Sequence, residues 1–185
     1  MNRLETVIQH ISCLLERKEK ILVAIDGQCT SGKTTLTAKL AEIYDCNVFH
    51  MDDFFLRPEQ RTEERYSQVG GNVDYERWKE EVLQPILSGE AFSYRPFDCK
   101  TFTLSAPVAV KPKRLTIVEG SYSMHPYFED PYDLKILLTV DPKTQRQRVM
   151  ERPAFVRERF FAQWIPMENQ YFETFRIRDK ADIIL

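Results

Sequence analysis

Residues 21–34 read Ile-Leu-Val-Ala-Ile-Asp-Gly-Gln-Cys-Thr-Ser-Gly-Lys-Thr, an apolar run that breaks into a glycine-bounded loop ending in Lys-Thr. Ile21 to Asp26 suit a buried strand, and the residues from Lys33 to about Tyr44 suit a helix. Between them lies the spacing of a P-loop. Gly27 and Gly32 let the backbone turn tightly, so that successive N–H groups of Gln28, Cys29, Thr30, Ser31 and their neighbours point inward at phosphate oxygens. Lys33 reaches the β- and γ-phosphates, the Thr34 hydroxyl binds Mg²⁺, and Thr35 continues the loop into the helix. The helix N-terminus adds a favourable dipole for the same anions.

Composition fits one soluble α/β domain spanning residues 1–185. The chain is 43% apolar and 12% aromatic, enough for one sizeable core. A net charge of -2 argues against a general nucleic-acid or membrane-surface role, which normally needs a basic excess. Cys13, Cys29, Cys46 and Cys99 are scattered without a Cys-x-x-Cys, so they read as reduced thiols rather than a zinc site or disulfide framework. No stretch has the length of a membrane span, and charges interrupt the apolar positions of the first residues. The expected compartment is the cytoplasm.

Working outward, residues 3–17 place Leu4, Val7, Ile8, Ile11, Leu14 and Leu15 at helical spacing behind an Asn2–Glu5 capping pair. A short strand, Asn47 to His50, runs into Met51-Asp52-Asp53-Phe54-Phe55, and the charged stretch 57–71 reads as a surface loop or loose helix. Helical spacing returns over Asp74 to Leu87 and stops at Gly89, with Pro85 as an irregularity. Residues 91–113 suggest an irregular hairpin outside the main sheet. Leu115 to Glu119, Leu134 to Val140 and Ala181 to Leu185 read as further strands, alternating with helices over 142–152 and about 155–175. This alternation predicts a three-layer α/β/α fold around a mainly parallel five-stranded sheet, with the ligand beyond the carboxyl ends of the strands.

At those ends stand Asp52, Asp53 and Glu119. Phosphoryl transfer uses carboxylates to hold Mg²⁺ and to orient and deprotonate an attacking hydroxyl; the alternative for an Asp pair is turn chemistry. His10, His50 and His125 form no metal-ligand pair, and structural roles are expected for them.

These motifs, in this order, resemble the uridine kinase and phosphoribulokinase family of small-molecule P-loop kinases. The resemblance rests on the P-loop, MDDFF at 51–55, NVDYERW at 72–78, IVEGSY at 117–122, an arginine-bearing lid at about 146–160 and the closing ADIIL at 181–185. It implies ATP and Mg²⁺ as cofactors and a small-molecule acceptor, a nucleoside in the first place or pantothenate or a sugar phosphate in the second. Asp52 would be the general base, with Asp53 the alternative, and Glu119 would stand near Mg²⁺ with Thr34 and Asp52. Asp74 resembles the family aspartate that holds acceptor hydroxyls, its other reading being a helix cap. Arg148 and Arg152, four apart on one helical face, would close over the phosphates, with Arg146, Arg157 and Arg159 close by; the other reading is a solvated face paired with Glu151 and Glu158. Tyr94 and Phe97 would line the acceptor, yet Phe97 and Phe102 stand where uridine kinases carry a tyrosine and a histidine. A nucleotide-dependent switch is the rival class, but the chain lacks its DxxG and NKxD elements.

Overall fold

The computed structural model describes residues 2–185. Helix α1 (Arg3–Arg17) begins on a full capping box: Asn2 Oδ1 accepts from the Leu4 and Glu5 amides, and Glu5 Oε2 accepts from the Asn2 amide at 2.9 Å. Strand β1 (Ile21–Gly27) is buried at every position, as expected of a strand covered on both faces. It leads through the P-loop into α2 (Lys33–Ile43), then β2 (Cys46–His50) and a 3-10 turn, Met51–Phe54. Charged residues 57–71 form a loop with one short helix, α3 (Glu63–Ser67).

The helix expected over 74–87 runs as α4 (Tyr75–Trp78), a π segment (Lys79–Leu83) and α5 (Gln84–Ser88), closed by Gly89 in the left-handed conformation. The π segment lies just before Pro85, whose missing N–H and ring would otherwise break a regular α-helix. The same device recurs before Pro166, where α7 (Ala154–Arg159) passes through a π segment (Phe160–Trp164) into α8 (Ile165–Thr174). Residues 92–110 hold two antiparallel pairs outside the main sheet: β3 (Phe92–Tyr94) with β6 (Val108–Val110), and β4 (Phe97–Asp98) with β5 (Thr103–Leu104). Then follow β7 (Leu115–Glu119), β8 (Leu134–Leu138), α6 (Pro142–Met150), and, after α8, α9 (Ile177–Lys180) and β9 (Ile183–Ile184). Strand β8 is shorter than expected because the chain turns into α6, which Asp141 caps by accepting from the Thr144 amide.

The main sheet has the order β2-β7-β1-β8-β9, and every pairing in it is parallel. Alternation along β1 separates two cores. Ile21, Val23 and Ile25 face Val7, Ile11, Leu36 and Leu40 of α1 and α2. Leu22 and Ala24 face a larger, aromatic layer with Trp78, Val82, Tyr171 and Ile177. Helices on both faces of a parallel sheet make the three-layer α/β/α arrangement. Among the described residues, no helix is long and apolar enough to cross a membrane.

Candidate active site

Strand register brings the site together. His50 and Glu119 are paired across β2 and β7, Glu119 also pairs with Ile25 of β1, and Gly27 sits opposite Leu138 of β8. A side chain at Gly27 would meet the Leu138 carbonyl at 2.2 Å, so this position admits only glycine. Gly32 caps α2 with φ 102°, a conformation L side chains rarely adopt, and nothing lies within 4 Å of where its Cβ would be.

The loop 27–35 folds around an open cradle. The Thr30 and Ser31 hydroxyls are buried and lack hydrogen-bond partners. Lys33 folds back, its Nζ donating to the Gly27 and Gln28 carbonyls at 2.7 and 3.0 Å. A cavity of about 720 Å³ opens beside the loop, where Arg3, Lys33, Lys39, Arg148 and Arg152 face the single carboxylate of Glu151. That charge balance and the orphaned hydroxyls suit a polyphosphate. Gln28 and Thr35 complete the loop, the Gln28 amide oxygen accepting from the Val140 amide at 3.3 Å.

At the strand ends, Glu119 Oε1 accepts from the Thr34 hydroxyl at 3.2 Å and lies 2.6 Å from His50 Nδ1. Hard oxygen donors of this kind fit Mg²⁺, which binds through few protein ligands and keeps its remaining positions for phosphates and water. Three-ligand clusters of His, Cys, Asp and Glu are absent among the described residues; Thr34 and Glu119, with Asp52 as the further strand-end carboxylate, would hold the ion together with the nucleotide. His50, for which a structural role is expected, meets Glu119, whose hydrogen bond holds its imidazole above the usual range.

Asp52 and Asp53 have different surroundings. Asp52 is open to solvent at the strand ends, but burial by protein on its flanks pushes its carboxyl up, against the opposing pull of Lys33. Asp53 is also raised by burial, with His50 and Arg77 opposing, and its carboxylate faces the Tyr94 hydroxyl. The Arg77 guanidinium fixes the Asp53 carbonyl at 3.0 Å. Tyr94 itself packs into the aromatic core, 5.4 Å from Phe49 and 5.8 Å from Phe54 between ring centroids. Phe97 is buried, whereas Phe102 is exposed.

Asp74 is buried and caps α4, accepting from the Arg77 amide at 3.2 Å. Its second oxygen has no hydrogen bond and lies 3.8 Å from Arg57 and 3.7 Å from Arg77. It lines a second groove, of about 430 Å³, which does not include Asp52. In the lid, Arg148 Nη1 donates to the Thr30 carbonyl at 2.7 Å, and Arg152 lines the same cavity. The pairing with Glu151 and Glu158 does not form among the described residues. Arg146 and Arg159 lie over Phe161 and Trp164 instead, each 5.1 Å from the ring centroid.

Several site residues carry no signal that the motif reading used. Glu168 of α8 is buried; its Oε2 accepts from the Cys29 amide and its Oε1 from the Ser121 hydroxyl, both at 2.8 Å. Gln145 Nε2 donates to the Cys29 carbonyl at 3.3 Å. Burial, with Glu168 adding, pushes the Cys29 thiol up to about 12, so it is no nucleophile. Asp26 accepts from the Gly27 and Met124 amides and from the Tyr171 hydroxyl, and burial pushes its carboxyl up to about 6. The available signal was a lone carboxylate inside an apolar strand, and a second one, Glu168, on the helical face that carries Trp164, Tyr171 and Phe175.

No protein-family model and no curated protein matches the sequence. Solved structures do. A possible uridine kinase from Bacillus stearothermophilus superposes with a TM-score of 0.69 at 19% identity, covering 97% of this chain and 99% of that one. A candidate fructose transport system kinase from Silicibacter sp. TM1040 gives 0.67 at 21% identity over 100% of both chains. D-glycerate 3-kinase from Cryptococcus neoformans gives 0.68 at 13% identity over 92% of this chain and 88% of that one. These likenesses establish the fold: the chain has the three-layer α/β/α fold of small-molecule P-loop kinases.

Proposed function

We propose that this protein is a Mg²⁺- and ATP-dependent kinase that transfers the γ-phosphoryl group to a hydroxyl of a small molecule. The observation that carries this reading is the Asp52 carboxylate, exposed at the strand ends and within the fields of Lys33 and Glu119, the latter bonded to Thr34. Bound Mg·ATP supplies the phosphoryl group and the metal's positive charge. The loop from Gly27 to Thr35 holds the phosphates through its amides, and Thr34 and Glu119 hold the ion. Lys33 exchanges its carbonyl partners for phosphate oxygens, while Arg148 and Arg152 close over them. Asp52 orients the acceptor hydroxyl and takes its proton, a role worth roughly 10² to 10⁴ in rate, and its raised carboxyl suits it to accept one.

Nucleosides are the acceptor class the sequence resemblance implies; the structurally similar proteins are named for uridine, fructose transport and D-glycerate. Asp53, with its carboxylate on the Tyr94 hydroxyl, and Phe97 of β4 are the acceptor-side residues of this reading, and Asp74 stands apart from them in the second groove. A cytoplasmic enzyme without nucleic-acid or membrane partners agrees with the charge balance. Mg·ATP turnover against a panel of nucleosides, pantothenate and sugar phosphates tests the reading: a kinase responds to at least one acceptor, and a nucleotide-dependent switch hydrolyses slowly and ignores them all.

A further inference from the structure

On the acceptor side, β4 packs against the turn Met51–Phe54 that carries Asp52, and Arg61 of the charged loop lies over the β4 ring of Phe97. The Cys99 thiol, at the tip between β4 and β5, also feels the charges of Arg61 and of Arg159 from α7. Arg61 lies over the Phe102 and Phe97 rings, 5.0 and 5.8 Å from their centroids, and Arg159 lies over Trp164. Of the four arginines between residues 57 and 77, Arg57, Arg65 and Arg77 pair with carboxylates. Arg61 does not, among the described residues; its Nε donates to the Leu56 carbonyl at 3.0 Å, which leaves the Nη edge free. Arg159 likewise has no carboxylate partner among the described residues.

A guanidinium held over an aromatic ring, with N–H groups free, is preorganised for a carboxylate or phosphate. The geometry points to an acceptor that carries an anionic group, a carboxylate or a phosphate monoester, besides the hydroxyl that Asp52 orients, with Arg61 and Arg159 binding the anion at the far wall. This rests on the kinase reading above and narrows it. The aromatic wall agrees: Phe97 and Phe102 offer no hydrogen bonds to a nucleobase edge, and a site that reads a base needs them. Asp52 and Asp53 stand on the turn after β2, and Arg61 and Arg159 on the charged loop and α7, so the acceptor's hydroxyl and its anionic group meet different elements.

The test is turnover on matched pairs: glycerate with glycerol, pantothenate with pantothenol, ribose 5-phosphate with ribose, and uridine as the neutral nucleoside. The expected result is that the best acceptor is anionic and exceeds its neutral partner in kcat/KM by at least about tenfold. The first two pairs against the third separate carboxylate from phosphate. Arg61→Gln and Arg159→Gln should each raise KM for that acceptor about tenfold while leaving KM for Mg·ATP unchanged. A neutral compound used as well as, or better than, the anionic ones overturns the inference and leaves the kinase standing. If no compound is phosphorylated, the kinase reading falls and the inference falls with it. A second measurement needs no turnover: the rate of Cys99 alkylation by iodoacetate relative to iodoacetamide, with exposed Cys13 as reference. That ratio should be raised at Cys99 and fall in both variants; an equal ratio at the two thiols overturns the anion-binding wall.

Discussion

Glu168 Oε2 accepts a hydrogen bond from the Cys29 backbone amide at 2.8 Å, so a carboxylate on the helix that continues the lid is tied to the P-loop. Through Ser121, whose hydroxyl is 2.9 Å from the Gly27 carbonyl and 3.4 Å from Lys33 Nζ, the same carboxylate reaches both ends of the loop. Helix α8 and the P-loop are therefore linked by named contacts.

Glu168→Ala strands the Cys29 amide. A hydrogen bond to a charged group contributes about 1.5–3 kcal/mol, and a domain of this size loses about 2–4 °C of melting temperature per kcal/mol. Thermal unfolding should therefore fall by several degrees, and Glu168→Gln, whose amide oxygen still accepts, should fall less. Equal melting temperatures for all three proteins would contradict the tie.

Asp26 sets a pH dependence of stability. Its folded value of about 6 lies above the ordinary 3.8, so its contribution is fully present below about 3.8 and is lost as pH rises through about 6. The shift corresponds to about 3 kcal/mol, to order of magnitude. Denaturant unfolding of wild type and Asp26→Asn between pH 4 and 7 should show wild type losing stability relative to the variant across this window. A pH-independent difference would show that Asp26 is ionised throughout.

Much of this fold is legible in the sequence because each signal is local. β1 reads as buried from its unbroken apolar run, and Asn2 with Glu5 announces the start of α1. The strand-end carboxylates Asp52 and Glu119 are visible because a parallel sheet carries strand ends to one edge. Residues recruited by tertiary packing escape such a reading. Glu168 lies 139 positions from Cys29 in the chain, and nothing in its own turn of helix says that it faces the loop. His50 carries no local sign of its partner, since Glu119 becomes its neighbour only through strand register. The π segments before Pro85 and Pro166 are irregularities that periodicity alone averages away.

Asp52→Asn should lower turnover by roughly 10² to 10⁴ with little change in nucleotide affinity, since the amide keeps the shape but cannot take the proton. Asp53→Asn should be milder, its carboxylate being turned to Tyr94. Rates measured with saturating Mg·ATP separate the two, and the reverse order would make Asp53 the base.

Removing Arg148 or Arg152 should lower turnover by at least about two orders of magnitude with little change in melting temperature, because these groups meet the phosphates most closely in the transition state. Arg146→Ala, which removes a guanidinium lying over Phe161, should stay within about threefold, a difference under about 1 kcal/mol. If every lid variant stayed within that range, the lid would have no catalytic part.

The central claim is transfer of a phosphoryl group to a small-molecule hydroxyl, and the most direct measurement follows the label from γ-³²P-ATP in the presence of Mg²⁺ and the acceptor panel. The account predicts label in an organic phosphate ester for the wild-type protein, and none for folded Lys33→Ala, which lacks the cation of the P-loop. Label appearing only as inorganic phosphate, at a rate indifferent to every acceptor, would contradict it.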